Sequence, residues 1–221
     1  MELDHIFICT TPGAPAADNL TALGLSEGTG NRHLGQGTAN RRFFFANFML
    51  ELLWIANAEE ATSERTRAMT LYERCQLADD SVSPFGLGFR PCPGGKISRL
   101  PFSTWNYQPE YLPKDMAIQV AENTLLREPL VFHLPFARRQ DKTPHCNEPM
   151  SHSIGWQQLT SISVTVNNSF NPLSDAAKAV DSMHNCSISN GNSHLLELVF
   201  DTGKHNASHD FRPLLPLICR W

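Results

Sequence analysis

The period of apolar and polar positions changes several times along the chain, and each change marks an element. Leu3 to Thr10 (LDHIFICT) is a β-branched and aromatic run closed by Thr11-Pro12-Gly13, which predicts an opening strand. Ala14 to Leu23 is alanine-rich, carries Leu20 and Leu23 at helical spacing and stops at Gly24, so a helix follows. Glycines at 28, 30, 35 and 37 suit a strand pair with tight turns over Asn31 to Asn40. The runs Arg42 to Ala46 and Phe48 to Ile55 then read as strands with Asn47 as the turn between them. Residues 1–57 thus spell β-α-β-β-β.

From Ala58 to about Asp79 the sequence turns to Glu, Arg, Ala and Leu, with Ala61, Met69, Tyr72 and Leu77 on one face, which predicts an exposed amphipathic helix. Pro84 to Pro113 is rich in Pro, Gly and aromatics. Within it Phe85 to Phe89 alternates Phe-Gly-Leu-Gly-Phe, a strand whose glycines admit close approach. Glu128 to Phe136 is another strand candidate, and Arg138 to His152 reads as a loop or linker. Leu159 to Val166 (LTSISVTV) is a strand. The polar break Asn167 to Asn171 leads into a helix that Pro172 opens and Ala176, Ala177, Val180 and Met183 line. Ser187 to Asn192 is a turn cluster, and His194 to Phe200 (HLLELVF) is a strand. The second half follows the order of the first, which predicts three parts: 1–57, an insert over 58–152, and a second unit with a tail over 153–221.

A hydrophobic content of 41% suits an ordinary packed core, and 18 basic against 22 acidic residues, scattered in pairs, argue against a nucleic-acid partner. Six widely spaced cysteines without a Cys-x-x-Cys pair read as reduced thiols. The opening Met-Glu-Leu-Asp-His lacks a basic, then apolar, leader pattern, and no apolar run is long enough to span a membrane; the expectation is a cytoplasmic protein without a membrane partner. No Gly-x-Gly-x-x-Gly, Walker loop, Gly-x-Ser-x-Gly or zinc-protease motif occurs, so a nucleotide cofactor and serine-hydrolase chemistry are not expected.

Overlaying the halves pairs Leu-Asp-His5-Ile-Phe-Ile with Leu-Thr-Ser161-Ile-Ser-Val, and Leu50-Glu51-Leu52 with Leu196-Glu197-Leu198. With His33-Leu-Gly-Gln-Gly-Thr-Ala-Asn40 and the strand Met49-Leu-Glu51-Leu-Leu-Trp, the chain resembles the glyoxalase-like branch of the vicinal oxygen chelate superfamily. The resemblance implies an α+β fold of two βαβββ modules forming an incomplete mixed β-barrel with outer helices, here with a long insert between modules. It further implies a divalent metal (Zn, Mn, Fe or Ni) held at His5, Glu51 and Glu197, with Ser161, a poor ligand, at the fourth position and His33 as a possible substitute.

Physical chemistry supports part of that picture independently. A glutamate flanked by leucines, as in MLELLW and LLELVF, costs free energy if buried alone, so two at matching places imply a shared polar cavity. The same Leu-Glu-Leu alternation also describes a strand with one solvated face, and His5 equally suits a hydrogen-bonded histidine at a strand start. For Glu51 the inward reading is preferred, because Phe48, Leu50, Leu52 and Trp54 share the other face. In the insert, Phe85, Trp105 and Tyr107 offer an aromatic wall, and Arg90 a cation for an oxyanion. The expected function is a metal-dependent enzyme of lyase, isomerase or dioxygenase type acting on a small oxygenated molecule, with Glu51 and Glu197 as its acid–base groups. The alternative is a metal-free protein that sequesters a small molecule, as bleomycin-resistance proteins do. A homodimer is compatible with either.

Overall fold

The structure is a computed structural model and describes residues 1–92, 94, 99–143, 147–167 and 172–221; Cys146, His145 and most of the polar break at 167–171 lie outside the described residues. The chain opens with β1 (Glu2–Cys9), α1 (Ala17–Leu23), β2 (Asn31–His33), β3 (Thr38–Phe44) and β4 (Met49–Ile55). This is the order read from residues 1–57. Gly24 caps α1 in the left-handed region, where its N–H reaches the carbonyls of Leu20 and Thr21.

The single helix expected over 58–79 is instead broken into α2 (Ala58–Ala61), a 3-10 turn at Arg67–Met69 and α3 (Leu71–Arg74). Hydroxyls are the cause. Thr62 Oγ1 bonds the Ala58 carbonyl at 2.8 Å, Thr66 Oγ1 bonds that of Glu60, and Thr70 sits at φ 54°, so side chains compete for the backbone acceptors a helix needs.

The insert then supplies β5 (Phe85–Arg90), β6 (Thr104–Tyr107), β7 (Ile118–Ala121) and β8 (Leu130–His133). These join β1–β4 in an eight-stranded sheet of order β2-β3-β4-β1-β5-β8-β7-β6. The pairing is symmetrical about the β1–β5 seam: β1 runs parallel to β4 and β5 parallel to β8, whereas β1 and β5 are antiparallel. The partner of the first unit is therefore residues 85–133 within the expected insert, and not residues 153–221.

Residues 153–221 build a separate five-stranded sheet. β9 (Leu159–Asn167), α4 (Asp175–Asp181), β10 (Cys186–Gly191), β11 (Leu195–Phe200), β12 (Ser208–Asp210) and β13 (Leu217–Arg220) take the order β10-β9-β11-β13-β12. The expected turn at 187–192 is mostly strand β10, paired parallel with β9 after the α4 crossover, because Cys186 and Ile188 alternate inward and are buried. Helix α4 starts at its Ser174 cap, whose Oγ accepts from the Ala177 N–H, rather than at Pro172.

Two cores result. Ile6, Ile8, Leu50, Leu52, Phe85, Leu87 and Phe89 face the back of the large sheet and share one buried cluster with α1, α4 and the apolar face of the small sheet. Phe45 and Phe200 rings lie 4.8 Å apart across that contact, and Asn47 exchanges hydrogen bonds of 2.8 and 3.0 Å with the backbone of Leu159. The front face carries Phe7, Leu53, Val120, Leu130 and Phe132 under α3. Both sheets are mixed and helices are few, so the class is α+β.

The glycines of Phe-Gly-Leu-Gly-Phe make the seam possible. A Cβ at Gly86 would overlap the Phe7 ring, and one at Gly88 would stand 2.8 Å from both His5 Cε1 and Phe132 Cε2. Gly86→Ala is expected to lower stability by about 1–3 kcal/mol through overpacking. In a Phe7→Ala background most of that loss should vanish, as urea unfolding of the four-member cycle will show. Additivity within about 0.5 kcal/mol would refute the steric origin.

Candidate functional site

A cavity of about 170 Å³ opens on the front of the large sheet. One wall is polar and comes from the first unit: His5 on β1, His33 and Gln36 around the β2–β3 turn, and Glu51 on β4. The opposite wall is apolar and comes from the second: Ile118, Phe132, Leu134 and Phe136, with Tyr111 and Leu112 closing the side. Phe7, Leu53, Met69 and Leu71 complete it. The size suits a ligand of about one aromatic ring, the volume of a known benzene-binding cavity being about 150 Å³.

His5 is oriented by a bulge. The β1–β5 register jumps between Leu3 and His5, leaving Asp4 as the extra residue. In a regular strand neighbours point to opposite faces, but here Asp4 Oδ1 holds its neighbour's Nδ1 at 2.7 Å. Asp4 is held in turn: Arg90 Nη1 donates to its Oδ2 at 2.9 Å, while Arg90 Nη2 donates to Glu2 Oε1 at 2.9 Å and to the Asn47 carbonyl at 2.7 Å. All three members of the chain Arg90–Asp4–His5 are buried. With Nδ1 occupied, Nε2 is the nitrogen available to the cavity, and it has no protein partner among the described residues.

A second network sets the rim. His33 Nδ1 and Gln36 Nε2 meet at Thr38 Oγ1, at 2.9 and 2.8 Å, and Tyr111 donates its phenol proton to Gln36 Oε1 at 3.1 Å. Gly35 and Gly37, at φ 77° and 78°, bracket Gln36 and turn it inward. The Tyr111 ring packs against His33 with centroids 5.0 Å apart. Glu51 is buried on the same wall and its carboxylate makes no hydrogen bond to a described residue.

The two histidines are pushed in opposite directions. Burial alone would lower the pKa of His5, but the Asp4 hydrogen bond and the Glu51 and Asp4 charges outweigh it and raise it. Burial lowers that of His33, with Arg42 and His5 adding to the effect and Glu51 opposing it. Burial, with Tyr107 and Glu51 nearby, pushes the Tyr111 phenol far up, so it stays a neutral donor.

Of the residues singled out in the sequence, His5, Glu51 and His33 come together. Glu197 does not. It lies on the outer face of the small sheet, paired with exposed Arg220 at 2.7 Å, next to Ser161 in a surface groove. The alternation of β11 is that of a strand with one solvated face, the reading its Leu-Glu-Leu pattern also allowed. Arg90 does not line this cavity and donates instead to Asp4, Glu2 and the Asn47 carbonyl behind His5. Phe85 packs in the back core, and Tyr107 is buried beneath Trp105 without lining the cavity. From the aromatics of residues 84–113 it is Tyr111 that reaches the site.

Of the donors the resemblance implies for a divalent ion, His5, Glu51 and the substitute His33 line this cavity and Glu197 does not. Among the described residues no group of three or more His, Cys, Asp or Glu side chains is arranged to hold a metal. Across the seam His5 is paired with Gly88, and the second unit's wall offers only carbon at Phe132 and Ile118. Sequence reasoning also missed Asp4, Gln36 and the apolar wall. Only Gly-Gln-Gly gave a local signal, since a bulge and a wall from a distant strand leave none.

Residues 3–83 match the family model described as a glyoxalase-like domain. A hypothetical protein from Staphylococcus aureus, seen in a crystal structure, is similar with a TM-score of 0.55 over 99% of this chain and 97% of that one, at 12% identity, which is a likeness of fold. No curated protein matches the chain. No helix among the described residues is long and apolar enough to cross a membrane.

The Asp4–His5 pair has a signed pH dependence. His5 is raised above 6.5, so its contribution to stability is complete below about 6.5 and is lost as pH rises through the folded value. Asp4, against a cost of burial, is lowered below 3.8 by His5 and Arg90, so its contribution is present above 3.8 and lost as pH falls through the folded value. Asp4→Asn should move the His5 ring titration, followed by NMR, to lower pH and leave that of His33 nearly in place. An unmoved His5 titration would show that Asp4 does not set its protonation.

Proposed function

We propose, from the premise that residues 3–83 are a glyoxalase-like domain, that the front cavity catalyses metal-independent proton transfer on a small carbonyl compound. The observation that supports this is the buried Glu51 carboxylate, free of hydrogen-bond partners among the described residues, between two histidines of opposite proton affinity. A histidine whose affinity for a proton is raised, next to a carboxylate, supplies an acid and a base in one cavity.

In this reading Glu51 takes the proton from the carbon next to the carbonyl. His5, protonated and braced through Nδ1 by Asp4, directs its Nε2 proton to the carbonyl oxygen and stabilises the enolate charge as it forms. Neutral His33 and the Gln36–Tyr111 pair orient the substrate's polar edge. Phe132, Phe136 and Ile118 hold its apolar edge and exclude water. Return of the proton to the neighbouring carbon gives an isomerase, and loss of a leaving group gives a lyase. The apolar second wall also favours a simpler reading, in which the cavity sequesters a one-ring molecule without changing it.

Solvent-deuterium exchange separates these. Small aldehydes and ketones that bind should gain deuterium next to the carbonyl, detected by NMR, and Glu51→Gln should slow exchange by about 10²–10⁴-fold while leaving binding in place. Prolonged dialysis against a chelator should not change the rate. Binding without exchange would favour sequestration, and a chelator-sensitive rate restored by Zn or Mn would overturn the metal-independent reading.

A further inference from the structure

Beyond the C-terminal end of β1 lies a second cavity, of about 450 Å³, lined by residues of α3, the loop after it and the turn before β13. Its inner side holds Arg74, only 2% exposed. Arg74 Nη1 donates to the carbonyls of Glu128, Ser83 and Leu126 at 2.7, 2.9 and 3.3 Å, and Nε to Thr70 Oγ1 at 3.1 Å. Among the described residues its Nη2 has no hydrogen-bond partner and no carboxylate is within ion-pair distance. Burial weighs against the Arg74 charge, and Cys9, Glu73 and Glu128 act on it through space; Glu128 Oε1 accepts from the Ser174 N–H at 2.9 Å and its Oε2 has no hydrogen-bond partner among the described residues. A buried cation whose hydrogen bonds go only to neutral carbonyls and a hydroxyl is a costly arrangement that an anion would relieve.

A second donor faces the same space. His194 is buried, and its Nδ1 accepts from the Asn167 N–H at 3.2 Å, which places the ring proton on Nε2. Nε2 has no hydrogen-bond partner among the described residues. Burial lowers the pKa of His194, and the charge and backbone carbonyl of Asp80 oppose that; the same carbonyl accepts from Asn167 Nδ2 at 3.0 Å. The Arg74 charge is felt at the same imidazole.

The mouth has a different character. Leu214 and Leu77 are 60% and 47% exposed, among the few large apolar side chains left in water, and Val82, Pro213 and Pro216 extend the surface they form. Three charged residues also line the mouth, each engaged locally: Asp79 with Ser81, Asp80 with Asn167 and Arg212 with Asp210. Asp79 and Asp80 are exposed and screened by water, whereas Arg74 is not.

We infer that this cavity is a separate binding site for a small amphipathic carboxylate, with the head group on Arg74 Nη2 and His194 Nε2 and the hydrocarbon tail along Leu77, Val82 and Leu214. Missing acceptors inside and unpaired apolar surface outside are complementary to that one chemical class. The site is independent of the front cavity and of any reaction there.

Isothermal titration of the full chain with octanoate and with octanamide, which has the same tail and no charge, tests it. Octanoate should bind at least about tenfold more tightly than the amide, as a charge-assisted contact requires. Leu214→Glu, a surface change that leaves the fold intact, should weaken octanoate by about tenfold or more through repulsion at the mouth. Glu51→Gln in the front cavity should leave octanoate affinity unchanged, and Arg74→Lys should narrow the gap between acid and amide. Equal affinities, no binding of octanoate, or binding lost in Glu51→Gln and kept in Leu214→Glu would each overturn the assignment.

Discussion

The antiparallel seam between β1 and β5 is the constraint on which the rest of the molecule depends. It closes only because Gly86 and Gly88 present no Cβ to Phe7, His5 and Phe132, and it is pinned at one end by Arg90 reaching Asp4 and Glu2 across the two strands. The bulge at Asp4 belongs to the same seam. It lets two successive residues of one strand act together, one carboxylate steering one imidazole. A buried guanidinium with two carboxylates and a carbonyl is costly to assemble, so its value is better read as orientation than as stability.

From the seam follows the asymmetry of the front face. The two units pair alike, yet the first contributes His5, His33 and Glu51 while the second contributes glycines, apolar side chains and the Tyr111 phenol. The result is a cavity with one protic wall and one largely dry wall, an arrangement suited to holding a flat, partly polar molecule next to the Glu51 carboxyl group, which has no hydrogen-bond partner among the described residues. The dry wall matters to that chemistry, because electrostatic interactions strengthen as water is excluded.

The back of the large sheet needs cover as well. Helix α1 packs behind the first unit, and among the described residues between β5 and β6 there is no equivalent helix. The small sheet shares that core, with Phe200 against Phe45, and Trp156 stacked on Phe200 at 4.5 Å. Residues that looked like a repeat of the first unit thus serve as a lid on the rear core. Glu197 faces water because every second residue of β11 is spent on that contact.

The sequence by itself determined the elements of the first unit, the inward direction of Glu51 and the need for close approach at Gly86 and Gly88. These are local properties: side-chain period, turn chemistry and the cost of a charge among leucines act over a few residues. Tertiary structure alone decided which strands pair. The same alternation of Leu, Glu and Leu served an inward glutamate in β4 and an outward one in β11, since period states that a strand has two faces and not which one meets a core. The Asp4 bulge, the Arg90 brace and the apolar wall arise only when segments more than 80 residues apart are brought together, and no window along the chain contains that energy.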